Sequence, residues 1–274
     1  MNEGLRAKQA RLRDILQAMD SIVVAYSGGV DSAYLACEAS EARPGRVLCV
    51  TADSASYPRR HRELAIRVAR DFDLTHEIIA TSEMERPEYR ANPANRCYFC
   101  KRELYTTLAS LARDRQYTVI VDGNNADDRG DYRPGRQAAR EFGVRSPLDE
   151  ADLTKADIRA LSREHGLPVW DEPASACLSS RIPYQQEVTE PKLRMIEAAE
   201  DALRDLGFRL FRVRHHETLA RLEIERSEMS RALDPAINEA IVRALKGVGY
   251  HFVSLDLQGY RTGSLNEVLL LRPA

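Results

Sequence analysis

Residues 22–33, Ile22-Val23-Val24-Ala25-Tyr26-Ser27-Gly28-Gly29-Val30-Asp31-Ser32-Ala33, decide the fold. An apolar strand runs into a Ser-Gly-Gly-Val-Asp-Ser turn, and a helix follows. The adjacent Gly28 and Gly29 let the backbone approach an oxyanion with no Cβ in the way. Ser27 and Ser32 flank the turn with hydroxyls at the positive end of the next helix. The stretch reads as a phosphate cradle whose wall begins at Ala25. No Gly-Lys-Ser/Thr follows, so it is not a Walker A loop. Two glycines alone would fit a tight turn with no ligand equally well; the full six-residue string, after a strand and before a helix, favours the cradle.

Outward from this turn, strand and helix signals alternate. Residues 22–26 form a strand and the next helix runs to about 39; 46–51 is a second strand, ending at Ala52-Asp53-Ser54. A helix over 60–72 leads to a strand at 77–81, then a loop rich in Pro, Asn and Arg over 82–96. A helix over 98–113 and a strand over 118–121 complete the unit. Strands separated by such helices predict a parallel sheet with ligand loops at its carboxyl edge. Ser27, Asp53 and Asp122-Gly123-Asn124 fall on that edge. Asp53 is placed to meet a ribose or adenine and Gly123 to admit a nucleotide close to backbone, although each is also readable as a solvated strand end.

The chain has 274 residues, 30% of them charged, yet its net charge is only -2. That mixture of signs gives no global bias toward nucleic acid. In the first twenty residues Leu5, Leu12, Ile15, Leu16 and Met19 share a helical stripe among Arg and Lys. This is an amphipathic helix, not the continuous apolar core of a signal peptide. No segment reaches the apolar length of a membrane span. Five cysteines without an export signal argue against a disulfide framework and for a reducing cytoplasm.

A second organisation begins near residue 150, dividing the chain at 1–150 and 151–274. Thr154-Lys155-Ala156-Asp157 is a capping-box start for a helix ending before Gly166. A Pro-broken loop over 167–181 follows, then a helix over 190–206, strands at 208–214 and 219–225, a helix over 235–245 and a strand at 251–255. This order fits a smaller C-terminal α+β domain. Arg212 and Arg214, two apart on a strand, leave the same face and suit a phosphate or a carboxylate pair. Arg221, Glu223 and Glu225 share a face of the neighbouring strand, so an exposed salt-bridged sheet accounts for the same residues.

Cys97-Tyr98-Phe99-Cys100 places two thiols at the mouth of a helix. Cys177 sits among small residues in 173–181, while Cys37 and Cys49 fall on apolar faces and read as core packing. Half a zinc site, a redox disulfide and an iron-sulfur site compete for Cys97 and Cys100. Zinc wants four ligands and only Cys177 stands out as a third thiolate. Three thiolates suit a 4Fe-4S cluster with one iron left open for an exogenous sulfide.

The glycine turn resembles the PP-loop of ATP pyrophosphatases, which hold the β and γ phosphates as leaving pyrophosphate while a substrate oxygen attacks the α phosphorus. Over nearly its whole length the chain resembles the LarE family of ATP-dependent sulfur transferases, which build the nickel-pincer cofactor of lactate racemase. The resemblance rests on 27–32; Asn95-Arg96-Cys97-Tyr98-Phe99-Cys100-Lys101; Asp122-Gly123-Asn124 with Asp127-Asp128 and Tyr132-Arg133-Pro134-Gly135; 173–181; and Arg212-Val213-Arg214 with Ala220-Arg221-Leu222-Glu223.

The resemblance implies a PP-loop domain binding ATP through Ala25, Ser27, Gly28, Gly29, Asp31, Ser32, Asp53 and Gly123. It implies pyridinium-3,5-biscarboxylic acid mononucleotide as substrate, its carboxylates adenylated and then converted to thiocarboxylates. Arg181, Arg212, Arg214 and Glu223 match substrate-site residues, and Cys177 matches the sulfur-bearing cysteine. In some members that cysteine gives up its own sulfur and becomes dehydroalanine. In others two more cysteines join it around a cluster fed by sulfide or another sulfur donor; Cys97 and Cys100 put this chain with those. Mg²⁺ would offset phosphate charge, with Asp31 as first candidate ligand and a helix cap as its alternative role. Family members form homo-oligomeric hexamers. Another PP-loop ligase, such as a tRNA thiolase or an amidating synthetase, and a non-enzymatic nucleotide or metal sensor are the rival readings. No concentrated basic surface, added RNA-binding module or ammonia source is visible for the two ligases.

Overall fold

The computed structural model describes residues 3–130, 134–173, 176–261 and 263–267. Packing divides the chain into two compact units, Met1–Glu83 with Asn95–Ser175, and Met84–Ala94 with Ala176–Ala274.

The first unit opens with α1 (Glu3–Gln17), whose Leu12 and Leu16 are fully buried; burying each stabilises by roughly 1.5–3 kcal/mol. Then come β1 (Ile22–Ala25), α2 (Val30–Ala42), β2 (Val47–Asp53), α3 (Arg59–Asp71) and β3 (His76–Ala80). The chain next contributes α4 (Pro87–Arg90) to the second unit. It re-enters the first with α5 (Arg96–Asp114), β4 (Val119–Val121), α6 (Pro134–Glu141), α7 (Pro147–Glu150) and α8 (Lys155–Glu164). The four strands pair in parallel in the order β3-β2-β1-β4, with Ile22 opposite Val47 on one side and Val119 on the other.

Alternation along the strands sorts their side chains into two cores. Ile22, Val24 and Cys49 join α1, α2 and α8. Val23, Leu48 and Val50 join α5 and α6 on the opposite face. This is the expected α/β parallel-sheet class, covered by helices on both faces. Cys37 and Cys49 are core residues, as the sequence indicates, and burial pushes both thiols up to about 12.

The second unit contains α9 (Glu190–Asp205), β5 (Phe211–His216), β6 (Leu219–Ile224), α10 (Met229–Ala232), α11 (Pro235–Val248) and β7 (Phe252–Leu255). β5 and β6 are antiparallel, β6 and β7 parallel. Leu203 of α9 and Leu245 of α11 pack with Val213 and Leu222 of the sheet in one core, the small α+β arrangement anticipated.

Two features differ from the sequence reading. Residues 151–173 pack with the first unit, beyond the boundary drawn at 150, because Ile158, Leu161, Leu167 and Val169 fill the same core as α2. The stretch read as a loop over 82–96 is partly structured and anchors the second unit. The Tyr89 hydroxyl lies 2.6 Å from Ser179 Oγ, Asn92 Nδ2 donates to the carbonyls of Ile182 and Pro183, and Val188 N–H donates to Arg90 O. Among the described residues no helix is long and apolar enough to cross a membrane.

Candidate functional site

The carboxyl ends of β1 and β4 and the N-terminus of α2 enclose a cavity of about 150 Å³ lined by Ala25, Ser27, Gly29, Asp31, Ser32, Lys101, Asp122, Gly123 and Asn124. Six of these were expected at a nucleotide: Ala25, Ser27, Gly29, Asp31, Ser32 and Gly123. The turn is locked from within. Ser32 Oγ accepts from Ser27 N–H and donates to Gly29 O, both at 3.1 Å, while the Tyr57 hydroxyl donates to Ser27 O at 2.8 Å. Gly28 adopts φ +67°, and a Cβ there would fall 2.6 Å from Ala65 Cβ; its role is close packing on α3. A Cβ on Gly123 would come within 3.1 Å of Ser32 N, so this glycine lets the β4 end close against the helix terminus.

Asp53 does not line the cavity; it pairs with Arg62 Nη1 at 2.5 Å. Asp31 does, and it is not a helix cap: the α2 N-cap is Gly29, with no side-chain bond. Its carboxylate is ion-paired with Lys155 Nζ, and Asn125 Nδ2 lies 3.5 Å from its other oxygen. Burial pushes the Asp31 carboxyl above the ordinary range, the Lys155 ammonium opposing that shift. Among the described residues no group of three or more His, Cys, Asp or Glu is gathered to hold a metal ion. Mg²⁺ on a polyphosphate takes one or two protein carboxylates and keeps its other positions for phosphate and water, and the wall offers Asp31, its second carboxylate, Asp122, being engaged by Tyr105, Ser146 and Asn124.

Sequence reasoning put Asp122 and Asn124 on the ligand edge of the sheet and Lys101 in the Cys97–Cys100 motif, but named none of the three as a site residue. The Asp122 carboxylate accepts from the Tyr105 hydroxyl at 2.9 Å, from Ser146 Oγ at 2.7 Å and from Asn124 Nδ2 at 2.6 Å, which fixes the β4 end. Lys101 shares a face of α5 with Tyr105, its Nζ 5.6 Å from the ring centroid. Gly135 makes room for it, since a Cβ there would lie 2.9 Å from Lys101 Cγ. The four-residue spacing of 97, 101 and 105 on one helix was the available signal. Tyr132 and Arg133 lie outside the described residues, as do Ala174 and Ser175 of the Cys177 loop.

In the second unit Cys177 precedes a 3-10 turn over Leu178–Arg181. Its carbonyl oxygen accepts from Ser180 N–H at 3.0 Å, Ser180 Oγ at 2.8 Å and Arg181 Nη1 at 2.9 Å. Arg181 is only 2% exposed and is engaged by Glu200, so in this structure it braces the cysteine loop. Arg214 pairs with Glu223 Oε2 through Nε and Nη2, and donates to Ser264 Oγ and Ser180 O. Glu223 is fully buried and also meets Arg221, so these charges form an interior network in place of the exposed sheet surface considered from sequence. Arg212 lies over the Tyr260 ring, and burial, with the Arg181 guanidinium nearby, lowers its pKa to about 10. A cation under that penalty favours an anionic ligand.

Cys97 is exposed and Cys100 half-buried on the first turns of α5 in the first unit, whereas Cys177 is in the second. The three thiols are therefore divided between the two units.

A Ser-Gly-Gly-x-Asp-Ser turn between a parallel strand and a helix, lining an anion-sized cavity without a Walker lysine, defines a PP-loop type α/β domain. No family model matches the chain. It is 34% identical over 267 residues, 97% of its length and 96% of the relative's, to pyridinium-3,5-bisthiocarboxylic acid mononucleotide synthase of Lactiplantibacillus plantarum. The chain belongs to this LarE family. It is also 43% identical to an uncharacterised protein of Synechocystis sp., over 97% of this chain and 99% of that one. An uncharacterised protein of Methanocaldococcus jannaschii shares 30% identity, over 88% of this chain and 91% of that one.

Proposed function

We propose that this chain is an ATP-dependent sulfur transferase that adenylates the carboxylates of pyridinium-3,5-biscarboxylic acid mononucleotide and converts them to thiocarboxylates. The observation that carries this reading is end-to-end similarity to a synthase of the bisthiocarboxylic product, in a chain whose Ser27–Ser32 turn lines a phosphate-sized cavity.

The chemistry follows from the residues. A carboxylate oxygen is a poor leaving group. Its attack on the α phosphorus of ATP forms an acyl adenylate and expels pyrophosphate, and a sulfur nucleophile then adds at the activated carbonyl carbon and AMP departs. In this reading the α2 N-terminus, Ser27, Ser32 and Lys101 hold the polyphosphate, and Asp31 would hold a Mg²⁺ ion that would neutralise phosphate charge. Arg212 and Arg214 orient the acidic mononucleotide, and Cys177 presents sulfur from a braced loop. Cys97 and Cys100, the other accessible thiols, serve with Cys177 in sulfur handling, as 4Fe-4S ligands supplied by a sulfide donor. The product serves a nickel-pincer cofactor of the kind used by lactate racemase, in a cytoplasmic homo-hexamer.

The test is incubation with ATP, Mg²⁺ and the mononucleotide. AMP and pyrophosphate are expected, dependent on the mononucleotide. ADP and orthophosphate as primary products would refute adenylation, and turnover stimulated instead by tRNA or by ammonia would move the chain to another PP-loop activity.

A further inference from the structure

Lys155 has no place in the reading above, yet its ammonium is paired with Asp31, a residue of the phosphate cavity's wall. It is the first residue of α8, directly after the N-cap Thr154, whose capping box with Asp157 is complete. Its backbone N–H donates to Asp127 Oδ2 at 2.8 Å, so the main chain is held twice over. From that fixed base its flexible stem carries the ammonium to Asp31, which lies in the cavity wall. Only the side chain has freedom to move.

The charges around the cavity make this pairing consequential. Asp31 and Asp122 both contribute carboxylates to the wall, against one ammonium from Lys101. Asp122 spends its oxygens on Tyr105, Ser146 and Asn124. Asp31 has Lys155 on one oxygen and the Asn125 amide at the other. A polyphosphate brought beside an unneutralised Asp31 would be repelled, and the wall is half-buried, so solvent screens the repulsion poorly. A divalent cation seeking that carboxylate meets the ammonium already on it.

We infer that Lys155 is a positioning residue for the nucleotide's phosphates, neutralising Asp31 and competing with the divalent cation for it. This rests on the nucleotide reading of the cavity and deepens it. Were a cation held at the Asp31 carboxylate, the Lys155 ammonium would be freed beside the cavity wall and its charge would remain near the phosphates. When cation is scarce, Lys155 keeps the wall neutral enough for ATP to enter.

The test is direct ATP binding by titration calorimetry, in Mg²⁺ and in EDTA, on wild type, Lys155→Ala, Lys155→Gln, Asp31→Asn and the Asp31→Asn/Lys155→Ala double variant, with folding checked by circular dichroism. Losing the charge-assisted contact should weaken EDTA binding roughly tenfold or more in both Lys155 variants and make their binding more dependent on Mg²⁺. The double variant should recover most of the EDTA affinity, because it removes the uncompensated carboxylate as well. Asp31→Asn alone should blunt the Mg²⁺ dependence. If wild type binds ATP and both Lys155 variants match it in each buffer, the pair is structural and the inference falls alone. If wild type fails to bind ATP in either buffer, the nucleotide reading falls and takes the inference with it.

Discussion

Arg181 and Glu200 face each other through two parallel hydrogen bonds, Nε to Oε1 and Nη2 to Oε2, both 2.9 Å, with neither residue more than 5% exposed. Glu200 also accepts Val213 N–H, and Arg181 donates to the carbonyls of Ala176 and Cys177, so one ion pair ties α9, β5 and the cysteine loop together. Burial alone would raise the Glu200 carboxyl, but the Arg181 charge and its hydrogen bonds outweigh it and hold the group below its ordinary range.

Breaking this pair leaves a buried charge uncompensated. Glu200→Ala should therefore cost about 3–5 kcal/mol of stability, read from urea unfolding. Arg181→Lys should also destabilise, since an ammonium cannot reproduce the paired geometry. Replacing both partners by apolar residues should cost less than the two single changes summed. A Glu200→Ala protein as stable as wild type would show that the loop is held by other contacts.

The glycine turn gives a second prediction. At φ +67° an L side chain is strained by about 1–2 kcal/mol, and the Cβ of Gly28→Ala would meet both Cβ and Cα of Ala65 at 2.6 and 2.7 Å. Because one of those atoms is backbone, α3 must shift, and the change should lower stability and abolish ATP binding together. Adding Ala65→Gly should recover only part of either. Normal ATP binding by Gly28→Ala would contradict the packing role assigned to this residue.

Local chemistry carried much of this structure into the sequence. The apolar run of β1, the glycine turn and the Thr154–Asp157 box each depend on a few neighbouring residues, and each forms where its pattern predicts. What stayed hidden depends on long-range closure. Lys155 reaches Asp31 across 124 positions, and Tyr89 reaches Ser179 across 90. Neither periodicity nor spacing signals such pairs. The boundary near 150 differed for the same reason: α8 has its own start signal, but its apolar face was shaped for a core begun by α1 and α2.

Mild acid supplies a third test. Burial lowers the pKa of His76, His215 and His216 from an ordinary 6.5. The unfolded chain thus takes up protons near that pH while the folded chain resists them. Stability is fully present above 6.5 and is lost as pH falls through the lower folded values. The urea midpoint should therefore fall between about pH 7.5 and about pH 5.5, before most carboxylates titrate. A flat or rising midpoint across that window would show that these rings protonate without cost to the fold.

Sulfur handling separates the cysteines into two groups by burial. Cys37 and Cys49 are buried, with thiols pushed up to about 12, whereas Cys97 is exposed and Cys100 and Cys177 half-buried. Since the thiolate is the reactive form, iodoacetamide should label the second group in the native protein and reach the first only after unfolding. Cys37→Ala and Cys49→Ala should retain sulfur transfer, and Cys177→Ala should lose it while still forming AMP. If Cys97, Cys100 and Cys177 hold a 4Fe-4S cluster, anaerobically reconstituted protein should carry iron and sulfide, lose both in Cys97→Ala, and turn over repeatedly when sulfide is supplied. If Cys177 surrenders its own sulfur, the chain stops after one transfer and becomes lighter by about 34 Da, the mass of H₂S lost on forming dehydroalanine. Mass spectrometry of the reconstituted wild type after reaction decides the matter: an intact Cys177 after several turnovers supports the cluster, and dehydroalanine at 177 rules it out.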